Sequence, residues 1–257
     1  MSHEARNYVI FGATGGIGHS LTSRLTSSGA HVLAVARDEG KLADLGAATG
    51  AELLQADLTE PDAADRAFAA AEERFGVVHG TANCVGSLLL KPAHLTSDAE
   101  WADTITANLT TAFHVVRAAA RSLPPTPGPA ADGGPAPGMS VVLCSSVAAR
   151  VGLANHEAIA AAKAGVIGLA LASAASYAPR GMRVNCVAPG LVRTPMTARL
   201  TTNDAAAKAS AAMHPVGRIG EPDDISATMA WLLSNDATWI TGQVFGLDGG
   251  LSTVRTR

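Results

Sequence analysis

Short apolar runs alternate with longer segments of helical periodicity along the whole chain. The runs predict strands at residues 8–11, 31–36, 51–55, 77–82, 140–144, 183–188 and 243–247. The segments between them predict helices at residues 17–28, 61–75, 98–123 with a break near Ala107, 156–178 and 223–234. This alternation is typical of a parallel sheet covered by helices on both faces. We therefore expect one doubly wound α/β domain over residues 1–257.

One segment departs from this alternation. Residues 124–138 consist largely of proline and glycine, which cannot hold a regular hydrogen-bonded element. We expect a mobile surface loop between a helix and a strand, tolerated as an insertion; a peptide-docking segment is the alternative. Residues 1–7 are predicted to be a polar N-terminal tail.

Composition excludes several classes of protein. The formal net charge is -3 and no run of Lys or Arg forms a basic stripe, so no nucleic-acid partner is expected. The N-terminus has no apolar signal core and Lys163 interrupts the longest apolar helix, so we expect no membrane segment and a cytoplasmic location. The three cysteines lack metal or redox spacing, so buried free thiols and no metal site are expected.

A glycine-rich turn follows the first predicted strand and opens the first predicted helix. Glycine lets the backbone turn tightly and lets a pyrophosphate approach the free N–H groups of a helix N-terminus. A purely structural turn is the alternative. The strand–turn–helix context favours a dinucleotide phosphate site formed by Gly12, Thr14, Gly15, Gly16, Ile17 and Gly18.

The residues after the second predicted strand distinguish the two nicotinamide dinucleotides. An acidic residue there would bind the ribose 2′-hydroxyl and favour NAD. This chain has Ala36 followed by Arg37, whose guanidinium complements a 2′-phosphate. We therefore expect NADP(H) in preference to NAD(H), with a solvated strand-end charge as the alternative role of Arg37.

Further motifs resemble the short-chain dehydrogenase/reductase family over about residues 9–250. The Gly-x-x-x-Gly-x-Gly spacing is joined by Asn83-Cys84-Val85-Gly86, a degenerate form of the family's Asn-Asn-Ala-Gly, and by a serine and a lysine at the family's catalytic spacing. The resemblance implies a Rossmann-type domain with a seven-stranded parallel sheet and a substrate lid at residues 195–214. It also implies cofactor contacts from Asp57, Leu58, Asn83, Lys163, Pro189, Gly190 and Thr194.

The resemblance implies a catalytic group from which one member is missing. In the family a serine orients the substrate, a tyrosine exchanges the proton, a lysine four residues later holds the nicotinamide ribose, and an asparagine completes a proton relay. Ser146, Lys163 and Asn108 match the serine, the lysine and the asparagine. Ile159 stands at the tyrosine position, and an aliphatic side chain can neither donate nor accept a proton.

Another side chain must deliver the proton if ordinary carbonyl chemistry is to occur. Tyr8 is expected at the remote edge of the first strand, and Tyr177 lies fourteen residues beyond Lys163 on one helix, roughly 21 Å away. His156 precedes Ile159 by three residues on nearly the same helical face, and histidine is the residue type best suited to acid–base work near neutral pH. We therefore predict His156 as the replacement donor, with a loop or subunit-contact histidine as the alternative. Glu157 is a weaker candidate that also suits a helix-dipole partner.

Three functions fit these patterns. The first is an NADP(H)-dependent oxidoreductase that acts on a small carbonyl, imine or alcohol with an altered proton donor. The second is a cofactor-binding sensor or scaffold without redox turnover, and the third is a non-redox catalyst that uses the same pocket. The small-residue faces of the helix at residues 156–178 also predict a homotetramer or a homodimer.

Overall fold

The apolar runs assemble into one parallel sheet. The computed structural model describes residues 6–124 and 138–255. Within them seven strands pair in the order β3-β2-β1-β4-β5-β6-β7, which confirms the predicted fold class. The strands are β1 (Asn7–Phe11), β2 (His31–Ala36), β3 (Glu52–Gln55), β4 (Gly80–Asn83), β5 (Ser140–Cys144), β6 (Arg183–Pro189) and β7 (Val244–Leu247).

Strand boundaries differ from the predicted ones in two informative places. The fourth strand starts at Gly80 and not at residue 77, because the side chain of Val77 is exposed and its carbonyl accepts a hydrogen bond from the Asn7 amide at 2.8 Å. Asn7 itself belongs to β1, so the predicted N-terminal tail is too long by at least this residue. Residues 1–5, and 125–137 of the predicted Pro/Gly-rich loop, lie outside the described residues.

Helices connect the strands and cover both faces of the sheet. The predicted break near Ala107 is confirmed as a single π-helical turn, Thr106–Thr110. The helix between β2 and β3 was not predicted, although an Asp38 side chain caps its start and Gly50 ends it in a left-handed conformation. The helices are α1 (Gly16–Ser27), α2 (Glu39–Thr49), α3 (Ala63–Phe75), α4 (Asp98–Ile105), α5 (Thr111–Ser122), α6 (Glu157–Tyr177), α7 (Ala198–Thr201), α8 (Asp204–Met213) and α9 (Pro222–Leu233).

Two aliphatic cores hold the helices on the sheet. Helices α1, α2 and α9 pack on one face through side chains such as Leu21, Leu42 and Ile225, and α3, α5 and α6 pack on the other. Much of the second core is alanine, which brings helix and strand backbones close together. Because helices and strands pack this closely, the helix ends at the carboxyl edge of the sheet have little freedom to move.

The carboxyl edge opens where the strand order reverses. The chain leaves β1 toward β2 on one side and returns to β4 on the other. In open α/β sheets such a reversal leaves a crevice in which ligands bind. The backbone N–H of Cys84, just after β4, donates to the carbonyl of Phe11 at the end of β1 at 2.9 Å, which fixes the two walls of the crevice.

One helix among the described residues is long and apolar enough, by length and composition, to cross a membrane. This helix is Glu157–Arg180. It meets the criteria of length and apolar composition although it contains Lys163, so the prediction that Lys163 interrupts the apolar helix is wrong by those criteria. Core helices of soluble proteins satisfy the same criteria. Here α6 packs on β6 and buries the Lys163 side chain, which places this helix in the core.

Candidate active site

The glycine-rich turn forms a cradle at the N-terminus of α1. Gly12 has a φ of +71°, and a Cβ there would lie 2.8 Å from the backbone of Cys84. A Cβ on Gly18 would lie 2.2 Å from the Gly12 carbonyl oxygen, and one on Gly16 would lie 2.7 Å from the Thr194 methyl group. The first turn of α1 has no acidic residue and no side-chain cap. Its free N–H groups therefore face a narrow space suited to an anion such as a pyrophosphate.

A cleft of about 630 Å³ runs from this cradle across the carboxyl ends of the central strands. Four of the predicted cofactor residues do not line it: Gly12, Asp57, Leu58 and Asn83. Asn83 is buried, and its side-chain oxygen accepts from the Val85 N–H at 3.0 Å, so its side chain steadies the turn after β4. Ten predicted residues line the cleft: Thr14, Gly15, Gly16, Ile17, Gly18, Arg37, Lys163, Pro189, Gly190 and Thr194.

Basic side chains mark one end of the cleft. Arg37 and Lys41 both line it, and Lys41 was not predicted from the sequence. The Arg37 guanidinium is largely exposed and lies 3.7 Å from the Asp57 carboxylate, while Lys41 lies 3.4 Å from Asp38. Both ion pairs are long and solvent-exposed, so each side chain can turn toward a bound phosphate at little cost.

Lys163 lies buried at the other end of the cleft. Its Nζ donates to the Cys144 carbonyl at 2.8 Å, and the Ser145 hydroxyl donates to the Lys163 carbonyl at 2.7 Å. These two bonds tie helix α6 to the end of β5. A Cβ on Gly86 would lie 3.4 Å from the Lys163 Nζ and 2.8 Å from Asn108 Oδ1, so the two predicted catalytic side chains converge on the glycine.

Asn108 is held rigidly in the π-helical turn. It is buried, its amide donates to Ser87 Oγ at 3.0 Å and to the Thr104 carbonyl at 2.9 Å, and its Oδ1 accepts from the Ser87 N–H at 3.2 Å. Ser87 also lines the cleft, although no motif in the sequence predicted it as a site residue. The π turn is the local reason for this arrangement, because it widens the helix where the amide must reach the neighbouring loop.

A second cavity of about 330 Å³ adjoins the cleft. The two share Leu88, Ser146, Ile159 and Gly190, and Ile159 is 3% exposed. The isoleucine therefore lies at the junction of the two spaces, as Ser146 does, while Lys163 lines only the cleft. Neither tyrosine of the chain lines either space.

The Ser146 side chain is available to a ligand in this second cavity. Its Oγ accepts from the Ala148 N–H at 3.2 Å, and no hydrogen bond within the described residues uses its O–H as donor. Ser145 has no such freedom, because its buried O–H is taken by the Lys163 carbonyl. The geometry thus favours Ser146, the residue predicted from the spacing, as the substrate-facing hydroxyl.

His156 lies at the start of α6 and lines the second cavity. Its Nδ1 lies 2.7 Å from the Ala154 carbonyl, which can only accept, so Nδ1 carries a hydrogen. Its Nε2 makes no hydrogen bond with the described residues. The structure therefore brings His156, Ser146 and Ile159 to one cavity, as an acid or base at Nε2 requires.

A second histidine in the cavity wall was not predicted. His214 is buried, and its Nδ1 lies 2.7 Å from the Ser210 carbonyl. Its Nε2 accepts from the Leu191 N–H at 3.3 Å. Both ring nitrogens are therefore occupied by backbone groups, which fix the ring in the cavity wall. The signal that could have identified it is its place directly before Pro215, at the end of the segment predicted as a lid.

Residues of the segment predicted as a lid line both spaces. The segment contains a 3-10 turn, Pro195–Thr197, followed by α7 and α8. Met196 faces the cleft, and Leu200 and Met213 line the second cavity. Apolar side chains of residues 195–214 thus line both spaces.

The three cysteines are free thiols, as predicted. Burial raises the pKa of the Cys84 thiol, which lies beside Cys144 and Lys163. Burial likewise raises the pKa of Cys186 to about 12. Burial raises the pKa of Cys144 as well. All three thiols therefore stay protonated; Cys84 and Cys144 line the cleft, and Cys186 is buried.

The strand order and the cleft at the carboxyl edge of the sheet define an α/β protein of the Rossmann type. A family model described as "Enoyl-(Acyl carrier protein) reductase" matches residues 12–252. The chain is 31% identical over 257 residues to the 3-oxoacyl-(acyl-carrier-protein) reductase FabG of Vibrio cholerae, with 98% of this chain and 99% of that protein covered. The chain belongs to the short-chain dehydrogenase/reductase family of oxidoreductases.

Solved structures agree with this assignment. A short-chain type dehydrogenase/reductase from Mycobacterium ulcerans superposes with a TM-score of 0.87 and is 30% identical, covering 99% of this chain and 92% of that one. An actinorhodin polyketide ketoreductase solved with NADPH superposes with a TM-score of 0.86 at 27% identity, covering 97% and 98% of the two chains.

Proposed function

We propose that this protein is an NADP(H)-dependent oxidoreductase that acts on a small carbonyl, imine or alcohol, with Ile159 in place of the usual tyrosine. The observation that best supports this proposal is that Ser146, Ile159 and Lys163 come together where the cleft meets the second cavity. Hydroxyl and lysine are retained at the positions where the family uses them, and only the proton donor differs.

The residues of the cleft fit a nicotinamide dinucleotide. Gly12, Gly16 and Gly18 pack so closely against other parts of the chain that a Cβ on any of them would clash, which keeps the turn tight enough for a pyrophosphate to approach the N-terminus of α1. When bound, such a cofactor supplies or accepts a hydride. Lys163 would hold the ribose, and Pro189, Gly190 and Thr194 would hold the carboxamide. Arg37 and Lys41 favour the 2′-phosphorylated form, consistent with the NADPH in the actinorhodin ketoreductase structure.

His156 is the proposed proton donor. With Nδ1 held by the Ala154 carbonyl, the ring exchanges protons at Nε2 on the side of the cavity. His214 is a poorer choice because backbone groups occupy both of its nitrogens. A protein without redox turnover, either a sensor or scaffold or a non-redox catalyst, is the alternative if no acceptor is reduced. We also propose a cytoplasmic location.

The first prediction concerns the choice of cofactor. Arg37→Ala should weaken NADPH binding by roughly 10- to 100-fold and leave NADH binding nearly unchanged, because a charge-assisted hydrogen bond is worth about 1.5–3 kcal/mol. Titration calorimetry on both cofactors measures the change. Arg66→Ala, which removes another exposed guanidinium away from the cleft, is the matched control. Equal affinities of the unmodified protein for NADPH and NADH would contradict the proposal.

The second prediction concerns the missing phenol. Ile159→Tyr should raise ketone reduction by about one to three decades, within the range that a positioned general acid supplies. Cofactor binding should not change, because Lys163 remains. Steady-state NADPH oxidation with saturated ketones measures the effect. Ile159→Phe adds a ring without a hydroxyl and is the control for volume. A gain of equal size in Ile159→Phe would show that the hydroxyl is not responsible.

The third prediction tests the histidine. His156→Ala should lower turnover and remove the limb of the pH–rate profile that follows imidazole titration, while NADPH affinity stays constant. The control is His94→Ala, because His94 is exposed and lines neither the cleft nor the second cavity. An unchanged pH profile in His156→Ala would remove His156 from the mechanism.

The fourth prediction concerns assembly into a homotetramer or a homodimer. Phe113 on α5 and Leu171 on α6 are 46% and 48% exposed, and α6 carries small residues that permit close helix approach. Light scattering at micromolar concentration should give the mass of two or four chains. A monomeric mass of 26.0 kDa would contradict it.

A further inference from the structure

We infer that His214 is a positioning residue, whose imidazole couples the segment predicted as a lid to the turn after β6. That turn contains Pro189 and Gly190, which are proposed to hold the nicotinamide carboxamide, so the inference rests on the proposed function. The imidazole acts through the backbone of Gly190 and Leu191 and not through contact with the reacting atoms.

Helix α8, at the end of the segment predicted as a lid, has no buried side chain of its own. None of its ten residues is buried, and the structure describes all of them. Its N-terminus is capped within the same segment, because Asn203 Oδ1 accepts from the Ala206 N–H at 3.0 Å. His214, directly after the helix, is in contrast only 4% exposed. Packing of buried side chains holds most helices on a domain, so the position of α8 depends on His214.

The imidazole bridges α8 and the turn after β6. Its Nδ1 lies 2.7 Å from the Ser210 carbonyl in the last turn of α8, and a carbonyl can only accept, so Nδ1 carries a hydrogen. Its Nε2 accepts from the Leu191 N–H at 3.3 Å. The two bonds run in series through one ring. Neither end can move far without breaking one of these bonds or moving the other end.

The ring also packs directly against the backbone of the turn. A Cβ on Gly190 would lie 2.7 Å from His214 Nε2, which is closer than real Cβ atoms approach other atoms. Only glycine therefore allows the ring and the turn to come so close. Gly190 lines both the cleft and the second cavity. The ring thus supports backbone that faces both spaces.

The chain is firmly held on the far side of His214. The Gly217 N–H donates to the His214 carbonyl at 2.7 Å, and the Val216 N–H donates to the Gly249 carbonyl, after β7, at 3.1 Å. His214 therefore lies where a segment tied to the sheet edge meets a helix without buried side chains. Hinges are found at such ends of elements.

The lid segment and the cofactor turn should therefore be ordered together. With α8 in place, the ring holds the Leu191 N–H, and with it the Gly190 turn, in one conformation. Binding of a nicotinamide against that turn would favour the same position of α8 through the same ring, since coupling between two sites is reciprocal. Misplacement of a reacting group by about 1 Å can cost about 100-fold in rate. Holding the turn therefore matters for hydride transfer as well as for binding.

Two ligands separate this role from a purely structural one. Adenosine 2′,5′-bisphosphate carries the 2′-phosphate of NADPH but has no nicotinamide to place against Gly190. His214→Phe keeps an aromatic ring and removes both hydrogen bonds. We expect this variant to bind NADPH about tenfold more weakly, which corresponds to one lost hydrogen bond of a part-buried group, and to bind the bisphosphate with unchanged affinity. Titration calorimetry measures both affinities. Equal loss for the two ligands, or loss for neither, would overturn the inference.

Conservative variants identify which of the two bonds carries the coupling. Glutamine can place an amide oxygen near the position of Nε2, whereas asparagine can place an amide N–H only near the position of Nδ1. His214→Gln should therefore recover most of the NADPH affinity, and His214→Asn should bind NADPH as weakly as His214→Phe. Lys208→Ala removes an exposed side chain from the same helix and is the matched control, with no change expected. If glutamine recovers no more affinity than asparagine, the bond to Leu191 is not the coupling contact and the inference fails.

Amide hydrogen exchange measures the coupling without turnover. In the unmodified protein, NADPH should slow exchange at residues 189–192 and along α8, whereas adenosine 2′,5′-bisphosphate should slow neither. In His214→Phe, saturating NADPH should still slow exchange at residues 12–18 but no longer along α8. The comparison of the two ligands on the unmodified protein requires no variant to fold. Equal protection of α8 by both ligands, or by neither, would contradict the coupling.

Turnover distinguishes failure of the inference from failure of the proposed function. With NADPH and cyclohexanone, His214→Phe should lower kcat by about 10- to 100-fold, with a smaller change in the KM of the ketone, and His214→Gln should lower kcat less. If the unmodified protein reduces the ketone and all three His214 variants match it, the inference fails and the oxidoreductase function stands. If NADPH binds and protects α8 but no acceptor is reduced, the oxidoreductase function fails and the coupling stands. If NADPH does not bind, both fail.

Discussion

Two hydrogen bonds between helix α6 and the end of β5 determine the geometry of the whole site. The Lys163 side chain donates to the Cys144 carbonyl, and the Ser145 side chain donates back to the Lys163 carbonyl. The pair is reciprocal and buried, so breaking either bond would leave a polar group without a partner in the core. The bonds fix both the register and the rotation of α6. As a result, the positions of Ile159 and His156 follow from the position of Lys163.

This anchoring explains how the site can keep its shape while its chemistry changes. The lysine has a structural partner in this chain, and so its position does not depend on a phenol one helical turn away. Ile159 fills the junction between the two spaces and remains buried. A general acid is worth about 10²–10⁴ in rate, or about 3–5 kcal/mol of barrier. A substrate whose transition state carries delocalised charge requires less of that contribution.

The fold followed from the sequence because its signals are local and repeated. Seven apolar runs and a strand–glycine–helix motif were sufficient to predict a parallel sheet and its phosphate cradle. Helix α2 was missed although Asp38 and Gly50 cap it, because its apolar face consists of little more than Leu42 and Leu45. Lys41 and Ser87 reach the cleft, and His214 reaches the cavity wall, only through tertiary packing. No periodicity along the chain could have indicated those three residues, whereas Ser146, Ile159 and Lys163 were predictable because they stand at the serine, tyrosine and lysine positions of the short-chain family on one strand–helix unit.

The distribution of charge within the site links its two halves. Basic side chains gather at the Arg37 end of the cleft, where a dinucleotide carries its phosphates. Lys163 lies at the opposite end, and beyond it no Lys, Arg, Asp or Glu is among the described residues that line the second cavity. Negative charge is therefore favoured in two places, at the phosphates and at an oxygen held by Ser146 beside Lys163. The aliphatic walls beyond that oxygen exclude water and raise the strength of both interactions. A neutral acceptor that becomes negative only during hydride transfer gains from this field in the transition state and not before it, which is the condition for catalysis rather than for binding alone.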